Sequence, residues 1–398
     1  MPLSVYQMPG VYVEEVPSGP RPIQAVGTST AGFVGVAPDP DAELNNAVAI
    51  DNWTQFVRIF VPEDGGSSTP LSHAVNGFFL NGGRRCFVVN IGRTGSMAGT
   101  DRPRTGLKVL EEVDEVAIVA APGYSDAASY DALLTHCENM KDRVAILDAP
   151  LDVANVDLLT KVGTGEETGD KPPDGYRPRI SKSGYGAFYF PWIKVADPLS
   201  KDPRQRAVVA PSGHIAGIYA RTDATRGVHK APANEPIRGA VDVEYRLTDA
   251  EQAALNPAGV NCIRYFPTEG ILLWGARTVA EAANEYRYLN VRRLFNMIEK
   301  SISRSTHWVV FEPNDMGLWK AIRRDVRAFL TLVWRDGALM GTTPEEAFFV
   351  KCDAETNPPE VVDAGMVVTL IGIAPVKPAE FIIFRIGQHA SGATVEAA

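Results

Sequence analysis

The 398-residue sequence predicts an α/β chain, turning to α+β towards its C-terminal end, with room for two or three domains. Three observations predict it. From residue 49 to 148, short apolar runs alternate with segments whose apolar residues recur three or four apart, as in strands interleaved with helices. Two long amphipathic helices then follow one another, their apolar stripes lying within residues 291–333. Three extended runs come after them. A hydrophobic fraction of 45% with 22% charged residues fits a folded chain rather than a disordered one.

Residues 9–16, Pro-Gly-Val-Tyr-Val-Glu-Glu-Val, form an alternating run closed by Pro17-Ser-Gly-Pro20. Pro9, Pro17, Pro20 and Pro22 restrict it to an edge strand of its own sheet or an arm donated to another chain. A second run, rich in β-branched and small residues, covers Ile23 to Val36. Asp51 or Asn52 then caps a helix that turns Phe56, Ile59 and Phe60 to one face. Leu71 to Leu80 is a second helix stopped by Asn81-Gly82-Gly83, and Cys86 to Ile91 a buried strand. Strand Val116–Ala121, helix Ala127–Met140 and strand Val144–Asp148 continue the alternation.

Pro122-Gly123 and Asp148-Ala149-Pro150 sit where open α/β sheets bind ligands. Neither carries a glycine fingerprint or a clustered acid, base and nucleophile, so both read as turns. Gly163 to Lys171 fails as a phosphate loop because Asp170 separates Gly169 from Lys171. Tyr185 to Val195 is an aromatic strand without the basic interleave of a base-stacking platform. A helix from Pro211 to Asp223, a short one from Leu247 to Leu255, and strands Gly259–Phe266 and Gly270–Gly275 lead to the long pair.

The first long helix aligns Val291, Leu294, Phe295, Ile298 and Ile302, opposite Arg292, Arg293, Glu299, Lys300 and Arg304. A strand-like run, Trp308 to Phe311, leads into the second. That helix buries Leu318, Ile322, Val326, Phe329 and Val333 and turns Lys320, Arg323, Arg324 and Arg327 elsewhere. The closing extended runs are Ala347–Asp353, Val361–Ala374 and Glu380–Ile386.

Little of this is chemistry. His229 and His307 lack partners at ligand or catalytic spacing, and neither G-x-S-x-G nor H-E-x-x-H occurs. Cys86, Cys137, Cys262 and Cys352 form no CxxC and read as buried thiols. A formal charge of −9 argues against a general nucleic-acid binder, and no apolar run is long enough to span a bilayer. The N-terminus has neither the basic start nor the apolar core of a signal peptide. The expectation is no catalytic residue, no cofactor and no metal. An enzyme built on an α/β domain at 30–215 is the competing reading.

Nine stretches together carry a resemblance. They are Pro9–Glu15, Arg226–Asn234, Asn261–Arg264, Gly275–Thr278, Asn290–Phe295, Phe311–Asn314, Gly341–Phe348, Cys352–Pro359 and Pro375–Phe381. In this order they resemble the contractile tail sheath proteins and cover most of 226–386. His229 departs from the bulkier aromatic residue frequent there.

The resemblance implies a structural subunit of a compact member, with a tube or baseplate component as the alternative. Such subunits form stacked six-membered rings around an inner tube. The polymer shortens and widens, driving the tube through a target envelope. Implied partners are copies of itself, the tube protein, and baseplate and terminal cap proteins, with no nucleic acid and no membrane insertion. Assembly is expected in the bacterial cytoplasm. The implied division is an N-terminal arm and linker at 1–25, an outer α/β domain at 26–237 and an inner polymerising domain at 238–398. Val11, Tyr12, Val13 and Glu14 of the arm, with Glu380, Phe381, Ile382, Ile383 and Phe384 of a C-terminal strand, would complete a sheet in an adjacent subunit. Arg292, Arg293, Lys320, Arg323, Arg324 and Arg327 would meet the tube or a neighbouring subunit.

Overall fold

The computed structural model describes residues 22–164, 174–202 and 204–383. They divide into a larger compact unit, 28–294 with 375–383, and a smaller one, 22–27 with 295–374. Val11, Tyr12, Val13, Glu14 and Phe384 lie outside the described residues.

Strands of the larger unit, in chain order, are β1 (Ala31–Gly35), β2 (Val48–Ile50), β3 (Cys86–Asn90), β4 (Ile118–Ala120), β5 (Val144–Asp148) and β6 (Gly186–Phe190). After them come β7 (Ile193–Ala196), β8 (Arg206–Val209), β9 (Glu235–Pro236), β10 (Ala240–Val243), β11 (Val260–Phe266) and β12 (Gly270–Trp274). Nine of them make one sheet in the order β2-β3-β1-β4-β5-β6-β11-β12-β9. The central pairs from β3 to β11 are parallel, and β2, β12 and β9 pair antiparallel at the margins. The remaining strands form a small antiparallel sheet, β10-β7-β8.

A parallel sheet must be covered on both faces, so its strands are apolar throughout instead of alternating. On β6, Ala187 and Tyr189 enter one core while Phe188 and Phe190 enter the other. The first core is closed by α1 (Trp53–Phe60), α2 (Pro70–Leu80) and α4 (Ser212–Arg226), the second by α3 (Ala127–Met140). The caps set these helices: Asn52 accepts from the Gln55 amide at 2.9 Å, Thr69 and Ser72 form a capping box, and Asp126 accepts from the Ser129 amide at 2.9 Å. All four cysteines are free and buried.

The division expected between 237 and 238 falls inside this sheet. β11 pairs with β6, and β9 pairs with β12, so residues 238–294 belong with the larger unit. Pairing across some seventy residues leaves no local trace in the sequence. Tyr185 to Val195 is likewise two strands rather than one, with Pro191 and Trp192 between them and each strand in a different sheet. Pro191 has no amide hydrogen to continue a ladder.

After α5 (Asp249–Leu255), helix α6 spans Leu289–Ser305 and α7 spans Met316–Arg335. Asp315 caps α7 by accepting from the Leu318 amide at 2.9 Å. The buried face of α7 holds Leu318, Trp319, Ile322, Val326, Phe329, Leu330 and Val333. The strand expected at Trp308 to Phe311 is instead a 3₁₀ turn, His307–Val309, followed by Phe311 at φ 68°, fully exposed. Residues 361–374 are a helical turn, Pro359–Asp363, followed by β14 (Leu370–Ile373), which pairs antiparallel with β13 (Phe348–Lys351). The Phe349 ring of this two-stranded ribbon lies across Gly372, where an added Cβ would come within 2.1 Å of it.

Candidate assembly site

In an open α/β sheet a ligand would sit beyond the carboxyl ends of the parallel strands. Here those ends are tied into the fold. Asn90, at the end of β3, accepts from the amides of Ala37 (3.0 Å) and Gly92 (3.1 Å) and donates to three carbonyls, Asp39, Pro40 and Ala42. Asp148, at the end of β5, accepts from Ser212 N at 2.9 Å, Ser212 Oγ at 2.6 Å and Gly123 N at 3.4 Å. Burial pushes its carboxyl up to about 7 against these three donors, so it fastens α4 to the sheet. Among the described residues no cluster of three His, Cys, Asp or Glu side chains is placed for a metal ion. Among the described residues no helix is long and apolar enough to cross a membrane.

The six basic residues singled out in the sequence separate into two groups. Arg292 and Arg293 are 2% and 3% exposed. Arg292 lies over the rings of Tyr185 (4.7 Å) and Tyr286 (4.5 Å). Arg293 forms a fork on Asp223 at 2.9 and 2.6 Å, donates to the Thr28 carbonyl at 3.0 Å, and lies over Tyr219. Their expected role as outward contacts is therefore corrected to one inside the larger unit. A helical wheel set them opposite the apolar stripe, and it cannot show that aromatic rings and an aspartate cover that side too.

Lys320, Arg323, Arg324 and Arg327 are exposed along α7 at spacings that keep them on one face. Arg324 pairs with its neighbour Asp325 at 2.9 Å and Arg327 with Glu345. Lys320 and Arg323 have no ion pair among the described residues.

Two further features concern edges. The β13–β14 ribbon is a sheet of only two strands, and Phe349 and Leu370 are each 53% exposed on it. β13 lies against α7 and Phe348 is buried, while the other seven residues of the two strands stay at least partly exposed. In the larger unit, Phe381, Ile382 and Ile383 are 73%, 74% and 79% exposed and belong to no strand. Glu380, just before them, is instead held by Arg277, Asn256 and Tyr288. Both Arg277 and Glu380 lie in stretches that stood out in the sequence, yet nothing in the sequence joined them.

A two-stranded ribbon and an exposed apolar segment are surfaces suited to association with further chains. The sequence matches the phage tail sheath protein central domain over residues 104–279 and the phage tail sheath C-terminal domain over 281–388. The fold is similar to the PVC sheath complex of an extracellular contractile injection system in its contracted state, with TM-score 0.78 and 28% identity over 97% of this chain and 99% of that one. It is also similar to the anti-feeding prophage helical sheath in its contracted state, with TM-score 0.76 and 30% identity over 97% of this chain and 100% of that one. A tail sheath protein of Vibrio phage KVP40 is 32% identical over 174 residues, 43% of this chain and 25% of that protein. The chain belongs to the contractile tail sheath family, whose members are structural proteins and not enzymes. It spans 25% to 54% of the length of four phage tail sheath proteins that it matches.

Proposed function

We propose that copies of this chain form a contractile helical sheath around an inner tube, built from stacked six-membered rings, that shortens to drive the tube through a target envelope. Family membership supports this reading, as does likeness to two sheaths described in a contracted state. The observation that carries it is the β13–β14 ribbon: two strands with apolar side chains in water invite further strands.

The donated strands are residues 10–18, with Val11, Tyr12, Val13 and Glu14, and, within the run expected at about 379–387, the part beyond the Glu380 clamp, with Phe381, Ile382, Ile383 and Phe384. The polymerising module is the smaller unit, and the outward part lies within 28–294. The exposed row Lys320, Arg323, Arg324 and Arg327 fits an acidic tube exterior or an acidic patch on a neighbouring copy. Each such contact is worth only about 0–1 kcal/mol and weakens with salt, so it sets register by repetition and breaks readily on contraction. Baseplate and cap proteins terminate the polymer, which assembles in the bacterial cytoplasm; a relative in this fold comes from a six-fold symmetrised baseplate.

Deleting residues 1–17 tests the reading. Circular dichroism should show a folded subunit, and negative-stain images should lack the long ring stacks of variable length formed by the full chain. Sheaths of normal length from the deletion would remove the arm from the connection. A lone ring or a single fixed-length object from the full chain would favour a baseplate or tube component.

A further inference from the structure

Residues 375–383 pass from tightly held to free within a few positions. Asn290 Nδ2 donates to the carbonyls of Val376 (3.2 Å) and His229 (2.7 Å). Pro375 and Pro378 stiffen the stretch between. Glu380 is then gripped from three directions: Arg277 Nε donates to Oε1 at 2.8 Å and Nη2 to Oε2 at 2.6 Å, Asn256 Nδ2 to Oε1 at 3.3 Å, and the Tyr288 hydroxyl to Oε2 at 3.2 Å. Burial pushes this carboxyl up, but its bonds to Arg277, Asn256 and Tyr288 outweigh that and hold it below the usual range. One residue later the chain is in water, with Phe381, Ile382 and Ile383 all exposed.

The far side of the clamp is the nine-stranded sheet. Arg277 donates its amide to Asn261 Oδ1 at 2.7 Å and accepts from Asn261 Nδ2 at 2.8 Å, and Arg277 Nη1 donates to the Asn256 carbonyl at 3.1 Å. Asn261 lies fully buried on β11 and also donates to the Phe188 carbonyl of β6 at 3.1 Å. A continuous run of polar contacts thus leads from Glu380 to two central strands.

We propose that Glu380 is the fixed root of the donated C-terminal strand, a positioning residue that sets where the strand leaves its own subunit and passes tension from a second copy, through Arg277 and Asn261, into the sheet. The proposal rests on the strand-exchange reading above. A two-point fork between guanidinium and carboxylate suits this task, because it fixes direction as well as distance. The three apolar side chains after Glu380 supply the segment that seeks cover, and a second copy's two-stranded ribbon is the occupant it fits. Were Glu380 only a local stabiliser of the larger unit, its loss would lower the melting temperature and leave assembly of the remaining folded subunits unchanged.

The test uses the full chain with Arg277→Glu, Glu380→Arg, the two combined, and Glu380→Gln, alongside a deletion of 381–398. Subunit melting and sheath length in negative-stain images are read for each. The deletion should abolish long sheaths. Each single reversal should leave the subunit folded and shorten sheaths about tenfold, the equilibrium equivalent of one charge-assisted hydrogen bond, with the exchanged pair restoring length. Long sheaths from the deletion would overturn the exchange reading itself. Absent sheaths from the deletion with normal sheaths from the single reversals would overturn the anchor alone. An exchanged pair that stays short, or a Glu380→Gln subunit that unfolds, would overturn it as well.

Discussion

Strands β1, β3, β4, β5 and β6 are buried at every residue, whereas of the eight residues in β13 and β14 only Phe348 is buried. Both sets are rich in Phe, Val, Ile and Leu. The larger sheet finishes its core inside one chain, with helices on both faces. The ribbon does not. Apolar content alone therefore does not say whether a strand stabilises a subunit or waits for another, and closure within the chain decides it.

Core truncation should separate the two most widely. Phe188→Ala removes a fully buried ring packed edge-to-face on Tyr130 at 5.7 Å and should destabilise the subunit by about 3–5 kcal/mol in denaturant unfolding. Phe349→Ala on the ribbon should cost about 1 kcal/mol or less in the free subunit, yet prevent sheath growth. Equal losses at both sites would break the comparison.

Charge gives the next contrast. Arg293→Ala leaves Asp223 buried and unpaired and should cost about 3–5 kcal/mol. Arg323→Glu with Arg327→Glu should shift stability by only about 0.5 kcal/mol and impair assembly around tubes. Tube-filled particles of normal appearance from that pair would remove α7 from the contact.

Acid should act mainly on the larger unit. Burial lowers His136 and His214 to about 3 and also lowers His73, and each has a ring nitrogen without a hydrogen-bond partner among the described residues. Between 6.5 and about 3 the unfolded chain binds more protons at His136 and His214, so stability falls with pH by about 1.4 kcal/mol per unit for each, and His73 acts in the same direction. Asp148, raised from 3.8 to about 7, takes up its proton when folded and so offsets one histidine as the pH falls to 3.8. The urea midpoint should therefore fall on acidification, more steeply in Asp148→Asn and less steeply in His136→Leu. Capping gives the smallest effect. Asp126→Ala in the larger unit and Asp315→Ala in the smaller should each cost about 1 kcal/mol, because a cap is local and indifferent to closure.

The same distinction explains what could be read from the sequence. Helix Ala127–Met140 and strand Val144–Asp148 match the structure at both ends, since periodicity, a capping aspartate and a short apolar run are all local signals. The helix start at Asp51 or Asn52, of which the structure uses Asn52, and the buried face of α7 were legible for the same reason. The extent of the large sheet was not, because β6 meets β11 only in three dimensions. Arg293 looked like a surface residue until Asp223, 70 positions away, came beside it. The basic row on α7 stands in the structure as its spacing suggested, while the partner of Glu380 needed the fold to bring residue 277 across 103 positions. Phe311 gave no sign of its left-handed backbone, since a bulky aromatic residue is a poor occupant of that region.

Gly372 carries one more consequence, for which changes the chain can tolerate. Its backbone is not among those with positive φ, so by dihedral angle any residue could stand there. The Phe349 ring stands in the way, since a single methyl group would come within 2.1 Å of it and the ring would have to move. Gly365, at φ 71° with nothing within 4 Å, is restricted the other way: it has room for a side chain but a backbone suited to glycine or asparagine. A saturation scan across residues 365–373 should therefore find position 365 accepting Asn and position 372 accepting a side chain only where the Phe349 ring moves aside or is made small in the same molecule.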